Sequence, residues 1–338
     1  MTLSFRRSLL CWWVLLPAAG LAQLSAGEAT LRVWGSKNDT ALLQAWAQGF
    51  EQASPGRHVS FDLRGGETPL MGVYTGVAEV ALLTREVRVP AETMAFTWAW
   101  RYPMTTLSVA NAGADTARPN GDLAIWVNAH NPLTHLTLAQ LDGIFGAESK
   151  RHGGLMRTWG QVLAVESAAQ TSGDGGARPQ GALAWADRPI HAYGPPIDSV
   201  AGVYFRRTVL SDSYKWNPEL HELGSDAELL AAVARDENAI AYAPRHGAPS
   251  GIKAVALGTA AEGPFVELTT ATAGDRTYPL SRTVVMAINR VPGKPVAPTT
   301  LAWLEYVLSP AGQAVVAASG TCLPLTPKQI KGQREKLQ

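Results

Sequence analysis

A short polar loop in front of a helix-like run is the first part of the chain that could do chemistry. Residues 35–40 read GSKNDT and follow a strand-like alternation. A helix start presents backbone N–H groups without intrahelical partners, and the helix dipole favours negative charge there. The loop therefore predicts a small-anion site with Ser36 and Asn38 among its contacts. The same residue types are also common helix caps, and Asp39 or Thr40 can cap the following helix.

Other kinds of catalytic or metal site find little support in the sequence. His130 and His135 are five residues apart, which is off the i, i+4 spacing of a helical metal pair. No G-x-S-x-G elbow, P-loop or dinucleotide-binding glycine motif is present, and segment 172–176 (SGDGG) resembles a protease signature only in composition. We therefore expect no metal, no cofactor and no catalytic residue. A hydrolase on a similar fold is the weakest alternative, because no activated nucleophile is evident.

Alternating strand-like and helical runs indicate the fold class. Strand, helix, strand, helix, strand is typical of a parallel sheet with crossover helices. The sequence predicts an α/β fold of two lobes, each a mixed, mostly parallel sheet flanked by helices, with the ligand cleft between them. The strand-like runs are 31–34, 59–63, 78–83, 105–110, 123–128, 189–193, 239–243 and 284–289.

The late apolar strand at 284–289 suggests how the chain divides into lobes. We expect this strand to return to the sheet that the beginning of the chain forms, with the second lobe inserted between the two parts. The predicted boundaries place residues 23–117 and 277–338 in lobe I and residues 118–276 in lobe II.

The N-terminus predicts the compartment. Arg6 and Arg7 precede an apolar run over 9–16, and small residues follow up to Ala22. This order is typical of a secretory signal peptide. The apolar stretch is shorter than the roughly 20 residues that a spanning helix needs. We therefore predict a signal peptide over 1–22 and a periplasmic mature chain that does not insert into the membrane.

The net charge of the chain bears on its possible partners. The formal net charge is +1, and no basic block is present, so we expect no nucleic acid partner.

Cys11 lies inside the predicted signal, which leaves Cys322 as the one cysteine of the predicted mature chain and excludes an internal disulfide. Cys322 has apolar neighbours and is expected to be a buried small hydrophobe. Core positions are also expected for Trp98, Trp100, Trp126 and Trp159.

Several segments, taken in order, resemble the phosphate-binding-protein family, the periplasmic receptors that feed ATP-driven phosphate importers. They are residues 35–50, 76–86, 131–145, 159–160, 263–267 and 278–295, which together extend over nearly all of the mature chain. The resemblance implies the type II periplasmic-binding-protein fold and a binding role without catalysis. It implies a phosphate-like oxyanion as ligand and an ABC permease as partner. We expect a monomer.

The resemblance also implies which residues contact the oxyanion. Ser36 matches the family's first loop, Thr68 the second and Ser199 the third, whereas Thr84 and Arg85 match its Ser-Arg-Glu form. Alternative roles are open at this point: Thr68 as a turn residue and Ser199 as a helix cap. Arg85 can instead form a structural ion pair with Glu86 or Asp62. The expected contacts are Ser36, Asn38, Thr68, Thr84, Arg85 and Ser199.

The third loop departs from the family pattern. Pro195 stands where the family has arginine, Val200 where it has glycine and Ala201 where it has threonine. Pro195 removes a cation and a backbone donor, while Glu67 and Asp198 add negative charge near the site. Each lost charged hydrogen bond costs about 1.5–3 kcal/mol. The ligand is therefore phosphate or another small solute. The alternative is a receptor-like scaffold with a degraded anion site that acts through protein contacts in the cell envelope.

Overall fold

The computed structural model describes residues 29–114, 116, 121–164, 182–245 and 247–338. The expected signal peptide over 1–22, the lobe boundary at 117/118 and segment 172–176 lie outside the described residues. No helix in the described ranges is long and apolar enough to cross a membrane.

Strands and helices alternate along the chain. The strands are β1 (Ala29–Ser36), β2 (Arg57–Arg64), β3 (Val80–Leu83), β4 (Thr105–Asn111), β5 (Leu123–Asn128), β6 (His135–Thr137), β7 (His191–Gly194), β8 (His221–Glu222), β9 (Ala239–Pro244), β10 (Ile252–Ala254), β11 (Ala256–Gly258) and β12 (Thr283–Ile288). The helices are α1 (Thr40–Ala53), α2 (Pro69–Tyr74), α3 (Ala91–Trp100), α4 (Leu138–Phe145), α5 (Val200–Thr208), α6 (Asp226–Arg235), α7 (Thr270–Asp275), α8 (Pro298–Val307), α9 (Pro310–Ser319) and α10 (Pro327–Glu335). Residues 159–164 are also helical.

The first sheet combines both ends of the chain. Its strand order is β2-β1-β3-β12-β4. β1 pairs in parallel with β2 and β3, whereas β12 pairs antiparallel with β3 and β4. The late apolar strand thus returns to the N-terminal sheet, as the sequence predicts. Helices from both ends pack together beside this sheet, where Phe50 of α1 meets Trp303 of α8 at 5.4 Å between ring centroids. Cys322 is buried in the same core, as expected.

The second sheet is built from the middle of the chain in the order β10-β5-β9-β7-β8. β7 pairs in parallel with β8 and β9, whereas β5 pairs antiparallel with β9 and β10. The ring of Phe205 from α5 stacks on Tyr242 of β9 at 3.9 Å and anchors that helix. The expected two-sheet α/β class is confirmed. Each sheet has as many antiparallel as parallel pairs, so the sheets are more evenly mixed than expected. Sequence periodicity identifies strands but not the direction in which distant strands pair.

The chain passes between the sheets twice, between β4 and β5 and between α7 and β12. Hydrogen bonds from the described residues of these connections tie them to the second sheet and to each other. The backbone N–H of Arg282 donates to Asp122 Oδ1 at 2.5 Å. The hydroxyl of Tyr278 donates to the carbonyl of Leu123 at 3.0 Å. The bond between Arg282 and Asp122 places the two connections side by side. The position of the lobe boundaries within them stays a prediction.

A buried carboxyl lies in this connection. Asp122 is fully buried, and burial raises its pKa to about 7, although the bond from the Arg282 N–H and the Arg282 charge act in the opposite direction. The Arg282 side chain forms its ion pair with Glu86, 2.9 Å away. The connection therefore contains a group that changes charge near neutral pH.

Candidate anion-binding site

The first predicted loop is a tight turn whose side chains serve its own backbone. Ser36 is buried at the end of β1, and its Oγ accepts from the N–H of Asn38 at 3.2 Å. The Thr40 hydroxyl donates to the carbonyl of Lys37 at 2.7 Å, and Asn38 is exposed. Asp39 makes no side-chain capping bond to α1. The expectation that Asp39 or Thr40 caps this helix is wrong, because a 3₁₀ turn precedes it and Ser36 caps that turn.

The second predicted loop is likewise closed on itself. The Thr68 hydroxyl donates to the carbonyl of Gly65 at 2.8 Å, which is the turn role that the sequence left open. Thr84 directly follows β3 and is half-buried. Its hydroxyl has no hydrogen-bond partner among the residues that the structure describes. Thr84 is therefore the predicted contact whose side chain is most readily turned toward a ligand.

Arg85 is buried and is clamped by a carboxylate from α3. Its Nη1 and Nη2 atoms donate to the two oxygens of Glu92 at 2.9 and 2.6 Å. Burial lowers the pKa of Arg85, but the bonds from Glu92 and Glu67 outweigh that effect and raise it. Burial raises the pKa of Glu92, and its bonds with Arg85 outweigh burial and lower it. Both groups therefore keep their charges, and Arg85 is held in a fixed position.

The ion pair of Arg85 differs in its partners from the expected one. Asp62 pairs with Arg64 at 2.7 Å instead. Glu86 offers Arg85 only its backbone carbonyl, because the Glu86 carboxylate pairs with Arg282. The structural ion pair is thus present, but the expectation that Glu86 or Asp62 is its partner is wrong. Sequence proximity does not reveal partners that lie on other turns and helices.

Glu67 places a carboxylate between two arginines. Its Oε2 lies 3.0 Å from Nη2 of Arg85 and 2.9 Å from Nη1 of Arg88, and its Oε1 accepts from Nη2 of Arg88 at 3.1 Å. The Glu67 side chain is 55% exposed, whereas that of Arg85 is 3% exposed. A bridging contact to two guanidinium groups is the geometry in which proteins hold carboxylates and phosphates. Glu67 therefore bridges the two arginines with a carboxylate of the protein itself.

The third predicted loop ends in a capped helix. The Oγ of Ser199 accepts from the N–H of Gly202 at 3.1 Å at the start of α5, so its capping role is confirmed. Pro195 is buried, and Asp198 is exposed. With proline at 195, the loop offers no arginine to a ligand.

A cavity of about 360 Å³ lies between residues 85–88 of the first sheet's half and α5 of the second. Arg207 of α5 bridges the two halves, because its Nη1 donates to the carbonyl of Val87 at 2.7 Å. Of the predicted contacts, only Arg85 lines this cavity. The lining residues are Arg85, Glu86, Val87, Arg88, Val200, Val203, Tyr204, Arg207, Thr208 and Asp212.

Two contributors to this region are missing from the sequence-based set. Glu92 orients Arg85, and Arg207 supplies a cation from the second half of the molecule. The adjacent arginines at the end of the helical run after Ser199 are the only sequence signal for Arg207, and Glu92 gives none.

The described residues contain no cluster of three His, Cys, Asp or Glu side chains that could hold a metal. Here His130 lies 3.2 Å from Glu237, and the ring of His135 packs on Phe265.

Comparison with known proteins identifies the family. A sequence model described as the PBP superfamily domain matches residues 22–311. The phosphate-binding protein PstS of Pseudomonas aeruginosa is 29% identical over 319 residues, which cover 92% of this chain and 88% of that protein. The match to the superfamily model extends over most of the sequence, and the chain therefore belongs to the PBP superfamily.

Solved structures agree on the fold. The crystal structure of PstS from Borrelia burgdorferi superposes with a TM-score of 0.59 at 12% identity and covers 88% of this chain and 100% of its own. An ABC-type phosphate transport receptor from Vibrio cholerae superposes with a TM-score of 0.52 at 18% identity, covering 87% and 100% respectively. These likenesses confirm the expected two-lobed periplasmic-binding-protein architecture.

Proposed function

We propose that this chain is a periplasmic solute-binding protein that captures phosphate or a similar small oxyanion for an ABC importer by hinged closure of two lobes. The observation that carries the proposal is the bridge from Arg85 through the Glu67 carboxylate to Arg88. Two arginines already hold an oxyanion group at the edge of the cleft between the halves. The relative from Pseudomonas aeruginosa, named a phosphate-binding protein, supports phosphate as the ligand to test first.

Binding begins with an exchange of anions at Arg85. Glu67 is more than half exposed, so its carboxylate can turn into water while Glu92 keeps Arg85 in place. The incoming oxyanion then takes the charge-assisted bonds that Glu67 leaves. The Thr84 hydroxyl is available as a further donor. Ser36, Asn38, Thr68 and Ser199 complete the proposed set. The hydroxyls of Ser36, Thr68 and Ser199 must rotate from their present turns or cap to reach the ligand.

Closure requires that the two halves move about their connections. Domain closure around a ligand is the usual response of periplasmic receptors. Arg207 already reaches from α5 to the Val87 carbonyl, and the Tyr204 hydroxyl donates to the carbonyl of Ser281 at 3.0 Å.

The proposal also includes cleavage of the signal peptide after Ala22, a monomeric mature protein, an ABC permease as partner and no catalytic activity.

Calorimetric titration of residues 23–338 with sodium phosphate tests the proposal, with sodium sulfate as a second oxyanion. Because Glu67 competes for the same arginine, we expect weak saturable binding together with a change in tryptophan fluorescence on closure. The absence of heat and of fluorescence change up to about 10 mM phosphate, a concentration at which even millimolar affinity is visible, would reject phosphate as a ligand.

The groups of the proposed anion site already bind other groups of the protein, and this favours a second candidate, the receptor-like scaffold. Arg85 is neutralised by Glu92 and Glu67, and the predicted hydroxyls of Ser36, Thr68 and Ser199 serve turns and caps. The discriminating variant combines Pro195→Arg, Val200→Gly and Ala201→Thr. If this variant gains tight phosphate binding that the parent lacks, the native site is degraded and the scaffold role is favoured.

A further inference from the structure

The cavity between residues 85–88 and α5 is larger than inorganic phosphate requires. Its volume of about 360 Å³ lies within the about 300–1,000 Å³ of sites that bind small organic molecules. A phosphate ion has five non-hydrogen atoms, and one water molecule occupies about 30 Å³ of liquid. A bare tetrahedral ion would leave most of this space to water.

Apolar side chains form part of the cavity wall. Val87 comes from the first half, whereas Val200, Val203 and Tyr204 come from α5. Val200 is the first residue of α5, so a β-branched side chain stands beside the helix start. The N–H of Gly202, at that start, is already taken by Ser199. This end of the cavity therefore suits apolar atoms better than the oxygens of a small ion.

Most of the charges that line the cavity are paired with carboxylates or arginines of the protein. Arg85 and Arg88 share Glu67, Glu86 pairs with Arg282, and Asp212 pairs with Arg206. Arg207 is different. Its Nη1 donates to the Val87 carbonyl, and no carboxylate pairs with it within the described residues. The lining therefore has one positive charge without a counter-charge, in a half-buried position where a cation gains strongly from an anionic partner.

We infer that the ligand is an organic oxyanion, a phosphate monoester or phosphonate with a compact apolar substituent. This inference rests on the proposed function and specifies its substrate class. The oxyanion head lies between Arg85 and Arg207, which line the same cavity from opposite halves. The substituent packs against Val200 and Val203. A ligand of this kind links the two halves through its charge and excludes water through its apolar part.

The test compares inorganic phosphate, methylphosphonate and phenylphosphonate on residues 23–338, with benzyl alcohol as an uncharged aromatic control. We expect phenylphosphonate to bind at least about tenfold more tightly than phosphate, which corresponds to about 1.4 kcal/mol. Benzyl alcohol should show no saturable binding. If phosphate binds as tightly as phenylphosphonate or more tightly, the inference is wrong and the proposed function stands. If no oxyanion binds, the proposed function fails, and the inference fails with it.

Two variants locate the ligand in this cavity. Arg207→Gln should weaken phenylphosphonate binding at least about tenfold, because a charge-assisted bond is lost. Arg290→Gln removes a half-buried arginine beyond the far end of β12, away from the cavity, and serves as the matched control. Val203→Ala removes two methyl groups from the apolar wall without touching a charge and should narrow the gap in affinity between phenylphosphonate and phosphate. Unchanged affinities in Val203→Ala and in folded Arg207→Gln would overturn the inference.

Discussion

The carboxylate of Glu67 lies 3.0 Å from the Nη2 atom of buried Arg85, although the two residues follow different strands of the first sheet. Glu67 comes from the loop after β2, and Arg85 lies two residues after the end of β3. The two strands lie on either side of β1, so their loops meet at one edge of the sheet. At the proposed site, an external oxyanion would therefore compete with a carboxylate that the protein itself holds beside Arg85.

Replacing Glu67 should strengthen oxyanion binding. In Glu67→Ser the competing charge is gone, and Glu92 keeps Arg85 in place for a ligand. The recovered charge-assisted bond is worth about 1.5–3 kcal/mol, so phosphate affinity should rise by about tenfold or more. Calorimetric titration of parent and variant measures the ratio.

Glu79→Gln is the matched control for that experiment. Glu79 pairs with Arg32 in the same half of the molecule, outside the cleft, and its side chain is 32% exposed. This change should leave phosphate affinity as it is. An affinity of Glu67→Ser equal to or below that of the parent would show that Glu67 does not compete with the ligand.

Removing the Arg85 side-chain charge should destabilise the protein through Glu92. Arg85→Met leaves the Glu92 carboxylate, 17% exposed, without its bidentate partner. Breaking a fully buried pair costs about 3–5 kcal/mol, and the residual exposure of Glu92 reduces the expected loss in unfolding free energy to about 2–3 kcal/mol. Urea unfolding followed by tryptophan fluorescence measures the difference.

The double variant Arg85→Met with Glu92→Leu isolates the cause. Because the double variant no longer has an unpaired Glu92 carboxylate, it should regain most of the lost stability. Phosphate binding should stay abolished, since Arg85 is still absent. A double variant no more stable than Arg85→Met would indicate that packing of the guanidinium, and not its pairing with Glu92, holds this region together.

The fold was largely predictable from the sequence because its signals are local. The apolar run of β12 and the cap of α5 depend on residue types within a few positions, and both are found as expected. α4 likewise begins at a local signal, because Thr137 caps it and Gln140 completes a capping box. The expectation that Trp98 is a core residue is wrong. Trp98 is 76% exposed, because α3 is apolar on more faces than it buries.

The partners of the charged residues could not be predicted from the sequence. Glu86 pairs with Arg282 across 196 positions, and Arg85 pairs with Glu67 across 18. Which carboxylate pairs with which arginine depends on where three loops meet in the folded protein. From the sequence alone, every carboxylate near an arginine in the chain is an equally reasonable partner. Arg207 belongs to the cleft for the same reason, because only the docking of α5 brings it to Val87.

Ser199 should differ from an ordinary helix cap in its effect on binding. Ser199→Ala removes the bond to the N–H of Gly202 and should cost about 1 kcal/mol of unfolding free energy. Ser309 caps α9 in the same way, 3.1 Å from the N–H of Gly312, so Ser309→Ala should cost a similar amount. If Ser199 also contacts the oxyanion, only Ser199→Ala weakens phosphate binding. Equal affinities in the two variants would restrict Ser199 to capping.

Asp122 should make stability fall as pH rises toward neutrality. Burial raises its pKa to about 7 in the folded chain, whereas an unfolded aspartate titrates near about 3.9. Between these values the folded state holds a proton that the unfolded state has released, so the Asp122 contribution to unfolding free energy decreases with rising pH. The slope is at most about 1.4 kcal/mol per pH unit. Above pH about 7 the loss is complete, and the charged carboxylate depends on the Arg282 N–H and on the charges of Arg282 and Arg276.

Urea unfolding of the parent and of Asp122→Asn at pH 5, 6, 7 and 8 measures this effect. The stability difference between variant and parent should shift in favour of Asn as pH rises through the window between about 4 and 7, because Asn carries no proton to lose. Carboxylates with lowered pKa, such as Glu92, act in both proteins alike and cancel in the difference. A difference that stays constant across these pH values would show that Asp122 titrates outside this window, and the connection would then carry no charge change near neutral pH.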